Sequence, residues 1–584
     1  MKDHGIDLYI VPTNDFHGSE YIGAYFKCRA FLTGFTGSAG TAFVSETEAG
    51  LYTDGRYFLQ AENELRGSGF TLYRAGEPGV PTLAEKIEEL LPEGGVIGFD
   101  GRVVSAKDGR EYEAIAARNY GSVESSYDLV GEIWKDRPEL SHAPVWALPE
   151  RFTGESVSSK IERVREAMRE RFADVHVIAS LADIAWLLNL RGNDTKHCPV
   201  FLAYLLLTAR GAVLYVQSDA VSDEIREDLE KAGVSVAPYE SIYGMAAKIK
   251  EKTILLSSAS VNDRLYRIFA ARNHILDEQN PTVLMKAVKN ETEVRNIRRA
   301  QVKDGVAMCR WIYWLKHTVG KEPLTEMSAA AKLEEFRRNM RGFIDISFGT
   351  IAGYKEHGAI IHYAATPKTD KELFPEGFLL VDSGGHYLEG TTDITRTVAL
   401  GRLTREEKEM FTAVLRSHLA LLELKFLKGC TGLNFDVLAR EPLWEKGLDY
   451  RHGTGHGIGY LLAVHEPPNG FRYKVVPERN DSAVFEPGMI TTDEPGVYLE
   501  GKFGVRTESE LLCREAEKTE YGEFLTFESI SYCPIDLEAV IPEQLSDFEK
   551  EKLNRYHDTV WREISPYLDG DEKEWLKNAT RRIF

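Results

Sequence analysis

Two aspartates stand in the stretch from Phe378 to Leu400, which reads FLLVDSGGHYLEGTTDITRTVAL. Its apolar and β-branched residues predict a strand, a turn and a second strand, with Asp382 and Asp393 at the strand edges. A carboxylate in such a place costs several kcal/mol to bury unless a cation pairs with it. Because neighbouring strands lie roughly 5 Å apart, the two carboxylates can converge on one point and bind a cation there.

Other segments of the same region supply more acid, imidazole and guanidinium groups. Glu494 and Glu508 also follow short apolar or β-branched runs, which brings the number of such carboxylates to four and balances two divalent cations. One imidazole, that of His456 between two glycines, makes a fifth ligand. This oxygen-rich set suits manganese, cobalt, iron or zinc, and two such ions about 3.5–4 Å apart would lower the pKa of a bridging water. The remaining candidate groups of these segments are His362, His452, His465 and Arg506.

Taken singly, each of these residues also has a purely structural interpretation. Asp382, beside a Ser-Gly turn, can form an Asx turn, and His456 can be a solvated loop residue. His465, followed by Glu-Pro-Pro, can mark a turn, and Glu508 can pair with a cation at the surface. The functional interpretation is favoured by the ordered set, which chance would rarely assemble.

Composition restricts the class of protein. The chain has 584 residues and a formal charge of −20, which predicts three or so domains and argues against nucleic acid or an anionic membrane as partner. No apolar run approaches the ~20 residues of a membrane span, and the segment MKDHGIDLYIVPTND lacks the apolar core of a signal peptide. Six scattered cysteines without a CxxC pair indicate reduced thiols, so we expect a cytoplasmic protein.

The first half of the chain alternates strand and helix patterns twice. LYIVP and TAFV predict buried strands, and TLAEKIEELL predicts a helix capped by Thr82. After a proline-containing boundary near residue 149, a helix and several apolar strands follow in the same order. We therefore predict two related α/β domains, over residues 1–150 and 151–283.

The third region, residues 284–584, begins with a capping pattern. Asn290 and Glu293 predict the start of a long helix over about 291–316. Beyond it the chain becomes rich in strand formers and glycine through about residue 515, and Leu545 to Ile583 indicates one or two terminal helices.

The ligand order Asp, Asp, His, Glu, Glu resembles that of the pita-bread metallopeptidases, the fold of methionine aminopeptidase, prolidase, creatinase and aminopeptidase P. The two aspartates are eleven positions apart and the two glutamates fourteen, as in that family. Around Glu508 the sequence reads TESE, where an EN pair is commoner in the family; this departure leaves the ligand in place. The motifs DSG, TTDxTRT, HGTGHGxG, TxEPG and R-x-E assign the ligands to Asp382, Asp393, His456, Glu494 and Glu508.

The chain is similar over nearly its whole length to the long, three-domain cytosolic type of aminopeptidase P. SEYIGAYFKCRAFLTGFTGSAG, LADIAWLLNLRG and LTFESISYCPID carry this resemblance in the first, second and last parts. It implies two creatinase-N-like α/β domains followed by a pita-bread catalytic domain, and a homodimer. It also implies two divalent ions, manganese first and cobalt or zinc as alternatives, and peptide substrates with proline in the second position.

The resemblance further implies roles for individual residues. A hydroxide bridging the two metals attacks the scissile carbonyl, and Glu494 is the general base. His362 and His465 stabilise the intermediate or carry protons. His452 lines the pocket around the proline, and Arg506 orients ligand carboxylates or substrate. The rival function is that of prolidase, which cuts only Xaa-Pro dipeptides; creatinase and a non-catalytic pita-bread binding module are more distant alternatives.

Overall fold

The computed structural model describes residues 1–476 and 480–584. It divides into two compact units. One comprises Met1–Glu150 and Glu155–Thr282, and the other Arg151–Gly154 and Val283–Phe584. The boundaries of a three-domain division stay a prediction.

The first unit contains two α/β halves. The first half has, in chain order, β1 (Leu8–Pro12), α1 (Cys28–Thr33), β2 (Thr41–Ser45), β3 (Ala49–Thr53), α2 (Phe58–Glu64), β4 (Thr71–Arg74), α3 (Leu83–Leu90), β5 (Val96–Phe99), α4 (Ala106–Arg118), β6 (Ser122–Glu124) and α5 (Leu129–Ile133). The second half has β7 (Trp146–Ala147), α7 (Val157–Glu170), β8 (Val175–Ile178), α8 (Leu181–Leu187), β9 (Leu190–Arg191), β10 (Ala203–Thr208), β11 (Ala212–Val216), α9 (Asp223–Lys231), β12 (Val234–Pro238), α10 (Ser241–Ala246), β13 (Thr253–Leu256), α11 (Asp263–Ala270) and β14 (His274–Asp277). The short helix α6 (Glu150–Thr153), between β7 and α7 in the chain, falls almost wholly in the second unit.

The two halves repeat one sheet topology. The strand order is β4-β3-β2-β1-β5-β6 in the first sheet and β12-β11-β10-β8-β13-β14 in the second. In each, the central strand pairs antiparallel with one neighbour and parallel with the other. The outer strands β4, β6, β12 and β14 pair in parallel. The prediction of two related α/β domains is thereby confirmed at the level of fold.

The second unit carries the predicted ligands. Its elements are α12 (Pro281–Ala287), α13 (Glu291–Thr318), α14 (Glu326–Arg338), β15 (Phe343–Ile346), β16 (Ile351–Tyr354), β17 (Phe378–Ser383), β18 (Gly385–Tyr387), β19 (Gly390–Thr391), β20 (Ile394–Ala399), α15 (Arg405–Leu421), β21 (Lys425–Leu427), α16 (Asp436–Trp444), β22 (Gly455–Gly457), β23 (Glu466–Phe471), β24 (Ile490–Asp493), β25 (Gly496–Leu499), β26 (Phe503–Arg506), β27 (Ser509–Thr519), β28 (Gly522–Ser529), α17 (Asp547–Ile564) and α18 (Gly570–Ala579).

Helix starts follow the capping signals of the sequence. The side chain of Asn290 accepts from the backbone of Glu293, and the Glu293 carboxylate accepts from the Asn290 N–H, so α13 begins where the pattern predicts. The Thr82 hydroxyl caps α3 in the same way. Both predictions are confirmed.

The stretch predicted as strand-rich differs from expectation. It also contains α14, α15 and α16, and α15 begins with a capping box between Thr404 and Glu407 that was not recognised in the sequence. The alternative that Glu-Pro-Pro after His465 marks a turn is wrong, since these residues begin β23. That strand lies at the edge of its sheet, where proline is tolerated because no ladder hydrogen bond is lost there.

The ligand-bearing strands belong to two sheets of this unit. One has the order β16-β17-β20, and the other has the order β21-β28-β27-β24-β22-β23. Within residues 1–476 and 480–584, none of the helices combines the length and apolar character needed to cross a membrane.

Candidate metal centre

The two aspartates lie on neighbouring antiparallel strands. Asp382 is in β17, opposite Thr395 of β20, and Asp393 directly precedes β20. Both side chains are buried. The Asp393 N–H donates to Oε1 of the buried Glu510 at 2.8 Å, which fixes the backbone from which the Asp393 carboxylate projects. The strand pairing predicted from the sequence therefore brings both acids to one side of the sheet edge.

His456 is held in the three-residue strand β22. Its flanking glycines are required by close backbone approach: a Cβ at Gly455 would lie 1.8 Å from the Thr492 carbonyl oxygen, and one at Gly457 would lie 2.2 Å from that of Glu466. The His456 Nδ1 lies 3.0 Å from the Gly457 carbonyl oxygen, so this nitrogen carries the proton. In the neutral imidazole the lone pair is then on Nε2, which faces the carboxylates of Asp393 and Glu494.

The two glutamates follow strand ends. Glu494 comes directly after β24, and its N–H donates to the Thr454 carbonyl oxygen at 2.8 Å. Glu508 lies between β26 and β27, and its Oε2 accepts from the Thr395 hydroxyl at 2.7 Å. Since Glu508 is only 1% exposed, the alternative of a surface ion pair for it is wrong.

These side chains meet in one cluster. Ligand atoms of Asp393, His456 and Glu508 all lie within 4.8 Å of one another. The His456 Nε2 is 3.5 Å from Oδ2 of Asp393 and 3.5 Å from Oε1 of Glu494. Asp382 joins the cluster electrostatically, because its charge is among the causes that raise the pKa of Asp393 and Glu508.

The charge balance of the cluster calls for cations. Burial, followed by the neighbouring carboxylates, raises the pKa of Asp393 and of Glu508 well above the usual range. Burial also raises the pKa of Glu494 to about 7. The Oδ1 atoms of Asp382 and Asp393 are buried without a hydrogen-bond partner among the described residues. Four oxygen donors and one imidazole nitrogen with this excess of negative charge fit divalent cations.

Arg506 is the guanidinium of the site. From β26 its Nη2 donates to Oδ2 of Asp382 at 2.6 Å, its Nε to the Thr395 hydroxyl at 3.1 Å and its Nη1 to the Tyr498 hydroxyl at 2.8 Å. The Tyr498 oxygen also lies 2.8 Å from Nε2 of His452. A continuous hydrogen-bonded chain thus joins Asp382, Arg506, Tyr498 and His452.

The three further histidines lie around the cluster. The ring of His465 lies edge-on to that of His456, with centroids 4.3 Å apart. His452 has its Nδ1 3.9 Å from Oε2 of Glu494, and burial lowers its pKa to about 3, so it is neutral at physiological pH. His362 is near enough for its charge to be a further cause of this lowering. All nine residues singled out in the sequence therefore share one neighbourhood.

Tyr498 and Arg396 belong to this neighbourhood but were not found in the sequence. Tyr498 stands four positions after Glu494 in an apolar strand, where the polar hydroxyl of a tyrosine indicates a hydrogen-bond partner nearby. Arg396 alternates with the site-facing Thr395 on β20. It donates to the carbonyl oxygens of Glu508 at 2.6 Å and Cys533 at 2.9 Å and to the Tyr556 hydroxyl at 2.6 Å.

Comparison with known proteins agrees with this geometry. Sequence profiles described as Creatinase/Prolidase N-terminal domain match residues 1–134 and 136–293. The profile of Metallopeptidase family M24 matches residues 295–515, and that of the C-terminal region of peptidase_M24 matches 523–583. Aminopeptidase P2 of Arabidopsis thaliana is 39% identical over 99% of this chain and 86% of its own. The probable Xaa-Pro aminopeptidase P of Aspergillus fumigatus is 38% identical over 100% of this chain and 91% of its own.

The chain belongs to the aminopeptidase P family. Family membership makes it a hydrolase of the metalloexopeptidase class, as predicted, and confirms the pita-bread fold of the catalytic region. Among solved structures, the X-prolyl aminopeptidase of Caenorhabditis elegans matches with a TM-score of 0.93 and 31% identity, over 99% of this chain and 95% of that one. That protein is described as a cytosolic enzyme with a di-nuclear active site.

Proposed function

We propose that this aminopeptidase P family member removes the first residue from peptides whose second residue is proline, and that it uses two divalent metal ions. The observation that carries the proposal is the cluster of Asp393, His456 and Glu508 within 4.8 Å, to which Arg506 ties Asp382. The proposed ligands are Asp382, Asp393, His456, Glu494 and Glu508. When bound, two divalent ions would lower the pKa of the attacking water and stabilise negative charge on the scissile carbonyl oxygen.

Manganese is the proposed ion, with cobalt or zinc as alternatives. An oxygen-rich donor set with one imidazole supports manganese, because thiolate ligands would instead favour zinc. Cys309 and Cys533, both buried in this unit, are not among the groups of the cluster.

The proton-handling roles follow from position. Glu494 projects into the cluster beside His456, and we assign it as the acceptor of the proton that the attacking water loses. His465, packed edge-on against His456, and His362 are assigned to stabilise the developing negative charge or to return the proton to the leaving proline nitrogen. This proton is needed because the proline nitrogen keeps the electron pair of the broken C–N bond and must be protonated to leave as an amine.

Substrate binding is assigned to the neutral side of the site. His452 is uncharged at physiological pH and, with the Tyr498 ring, offers an imidazole and a phenol surface for the apolar proline ring. Arg506 donates to both Asp382 and Tyr498. We therefore assign it to orient a proposed metal ligand and a proposed substrate-binding side chain at the same time.

Chelation and peptide length together test the proposal. Purified protein loaded with manganese should cleave an Xaa-Pro-Xaa tripeptide between the first two residues, lose this activity in chelator and regain it with metal. The second candidate, a prolidase, would instead cleave an Xaa-Pro dipeptide and leave the tripeptide intact. The aminopeptidase P relatives match essentially the whole chain, and this favours the aminopeptidase over the prolidase. A protein inactive on both peptides with two metals bound would contradict the proposal.

A homodimer in the cytoplasm is also proposed. It is supported by an apolar surface on α16, where Val437, Leu438 and Trp444 are each 41–43% exposed. Sedimentation of Val437→Glu should give a monomer while the wild type sediments as a dimer. Tyr521→Glu, at an 80% exposed tyrosine between β27 and β28, is the control and should stay dimeric. A monomeric wild type would contradict the dimer.

A further inference from the structure

His362 lies on the long connection between β16 and β17. The helical part of this connection is a 3-10 turn at Lys355–Ala359, and His362 follows it outside any strand or helix. Backbone hydrogen bonds of sheet or helix therefore do not set the place of this histidine. Something else must hold it beside His452, because a catalytic group has to be kept close to its working position.

Glu326 is a buried carboxylate at the first residue of α14, and it is 0% exposed. Its Oε1 accepts from the Tyr354 N–H at 2.8 Å and lies 2.9 Å from Nδ1 of His357. Its Oε2 accepts from the Tyr363 hydroxyl at 2.8 Å and the Lys371 N–H at 3.2 Å. Because its neighbours are donors, the carboxylate acts as acceptor and the His357 proton lies on Nδ1.

These four partners surround His362 in sequence. Two precede it and two follow it, and Tyr363 is its direct neighbour. The position at the N-terminus of α14 adds favourable backbone N–H dipoles for the carboxylate. A single buried acid that no proposed catalytic role uses thus gathers both arms of the connection, which we call the His362 loop (residues 354–371).

The loop is also seated on the strand that carries Arg506. Gly358 packs against Gly504 of β26 so closely that a Cβ at Gly504 would lie 1.8 Å from the Gly358 carbonyl oxygen. Glu326 therefore anchors the loop from one side while β26 supports it from the other. A displacement of the loop would move His362 relative to Arg506 and its hydrogen-bonded chain.

We propose that Glu326 is a positioning residue of the peptidase, which acts by fixing the His362 loop and through it His362. This inference rests on the proposed function. It assigns to Glu326 neither metal binding nor contact with substrate, so its loss should slow peptide cleavage and leave the metal content intact.

Glu326→Gln is the first test. The amide keeps the size of the side chain but turns an N–H group towards donors, so at least one hydrogen bond of the loop is lost. We expect kcat/KM on an Xaa-Pro-Xaa tripeptide to fall at least tenfold with two metals retained per chain. Glu291→Gln, at the exposed first residue of α13, is the matched control and should stay within twofold of wild type.

A double-mutant cycle separates positioning from general damage. If Glu326 acts through His362, the Glu326→Gln change should cost less than twofold further in a His362→Ala background. Losses that multiply, activity of Glu326→Gln within twofold of wild type, or loss of metal from this variant would each overturn the proposal. If Glu326→Gln does not fold, Tyr363→Phe keeps the ring and removes the hydroxyl that donates to Glu326 and lies 3.1 Å from the Thr369 carbonyl oxygen. We expect at least a threefold loss for it in wild type and none in His362→Ala; equal losses in both would overturn the proposal.

Hydrogen–deuterium exchange gives a readout that does not depend on activity. Amides of residues 354–371 should exchange at least tenfold faster in Glu326→Gln than in Glu291→Gln. Equal exchange in the two variants would overturn the positioning role even if the wild type cleaved no proline peptide. If Glu326→Gln exchanges faster but the wild type does not cleave proline peptides, the proposed function is overturned and the anchoring of the loop by Glu326 stands.

Discussion

Arg506 donates to Oδ2 of Asp382 at 2.6 Å, while Oδ1 of the same carboxylate has no hydrogen-bond partner among the described residues. One oxygen is thereby oriented by a fixed positive charge, and the other is left to a cation. The same guanidinium holds Thr395 and Tyr498. The guanidinium of Arg506 is therefore a planar fork of donors, and its three acceptors lie on three different strands, β17, β20 and β25.

Replacing this fork by a single ammonium should be costly although the charge is kept. Arg506→Lys can satisfy one of the three acceptors, since lysine has no rigid planar fork. We expect kcat/KM on the tripeptide to fall 10- to 100-fold. Arg416→Lys is the control and should leave activity unchanged. Arg416 of α15 forms a part-buried ion pair with Glu549 of α17. Equal activity of Arg506→Lys and wild type would contradict the role of the fork.

Removal of a proposed ligand should abolish both metal and turnover. Asp393→Ala deletes a carboxylate that lies within 4.8 Å of the donor atoms of His456 and Glu508. Activity should fall at least about a thousandfold, which corresponds to about 4 kcal/mol of transition-state stabilisation. Metal analysis by plasma mass spectrometry should show fewer than two ions per chain. The exposed Asp571→Ala is the control, and full activity of Asp393→Ala would end the metal-centre hypothesis.

His465 should separate catalysis from metal binding. Its ring packs against His456, but it is not among the proposed ligands. His465→Ala should lower kcat 10- to 100-fold and keep two metals per chain, whereas the exposed His317→Ala should be unaffected. Loss of metal from His465→Ala would mean that the division of roles between ligands and proton carriers is wrong.

The metal-free protein should lose stability as the pH rises from 6.5 to 8.5. Burial raises the pKa of Glu494 to about 7 and of Glu510 to about 8 in the folded state. A raised folded-state pKa means that the folded protein holds protons that the unfolded chain releases. This stability is fully present below the ordinary carboxyl pKa of ~4.5 and disappears as the pH passes 7 to 8.

Buried histidines act in the opposite direction, but outside this pH window. The pKa values of His17, His452 and His557 are lowered by burial to about 3 to 4, so their contribution is complete above ~6.5. The unfolding temperature measured in chelator should therefore fall between pH 6.5 and 8.5. Manganese should reduce this fall, because the ions bind the deprotonated carboxylate of Glu494. A flat or rising profile in chelator would contradict the prediction.

The sequence was informative where function depends on local patterns. Asp382 and Asp393 could be recognised because each acid sits at the edge of a β-branched run, and His456 because glycines flank it. Those glycines prove to be needed for the close approach of β22 to its neighbours. The start of α13 at Asn290 and Glu293 is equally local, and it too was predicted.

Partners that come from distant parts of the chain could not be predicted. Glu326 reaches Tyr363 over 37 positions, and Arg396 reaches Tyr556 over 160. A charged residue in an apolar strand, such as Arg396 in ITRTVA, signals that a buried partner exists but not where it lies. The helix α15 was missed for another reason: its capping box at Thr404 was overlooked within a stretch dominated by strand formers.

The guanidinium of Arg396 also connects the end of the chain to the site, because its partner Tyr556 lies 160 positions further along the sequence. It fastens the Glu508 main chain to the carbonyl of Cys533 and to a phenol on α17. The terminal segment is thus a brace for the acid at position 508 and no detachable appendage. A shortened chain without this segment would leave the buried guanidinium of Arg396 without the acceptors of Cys533 and Tyr556, next to the main chain of Glu508.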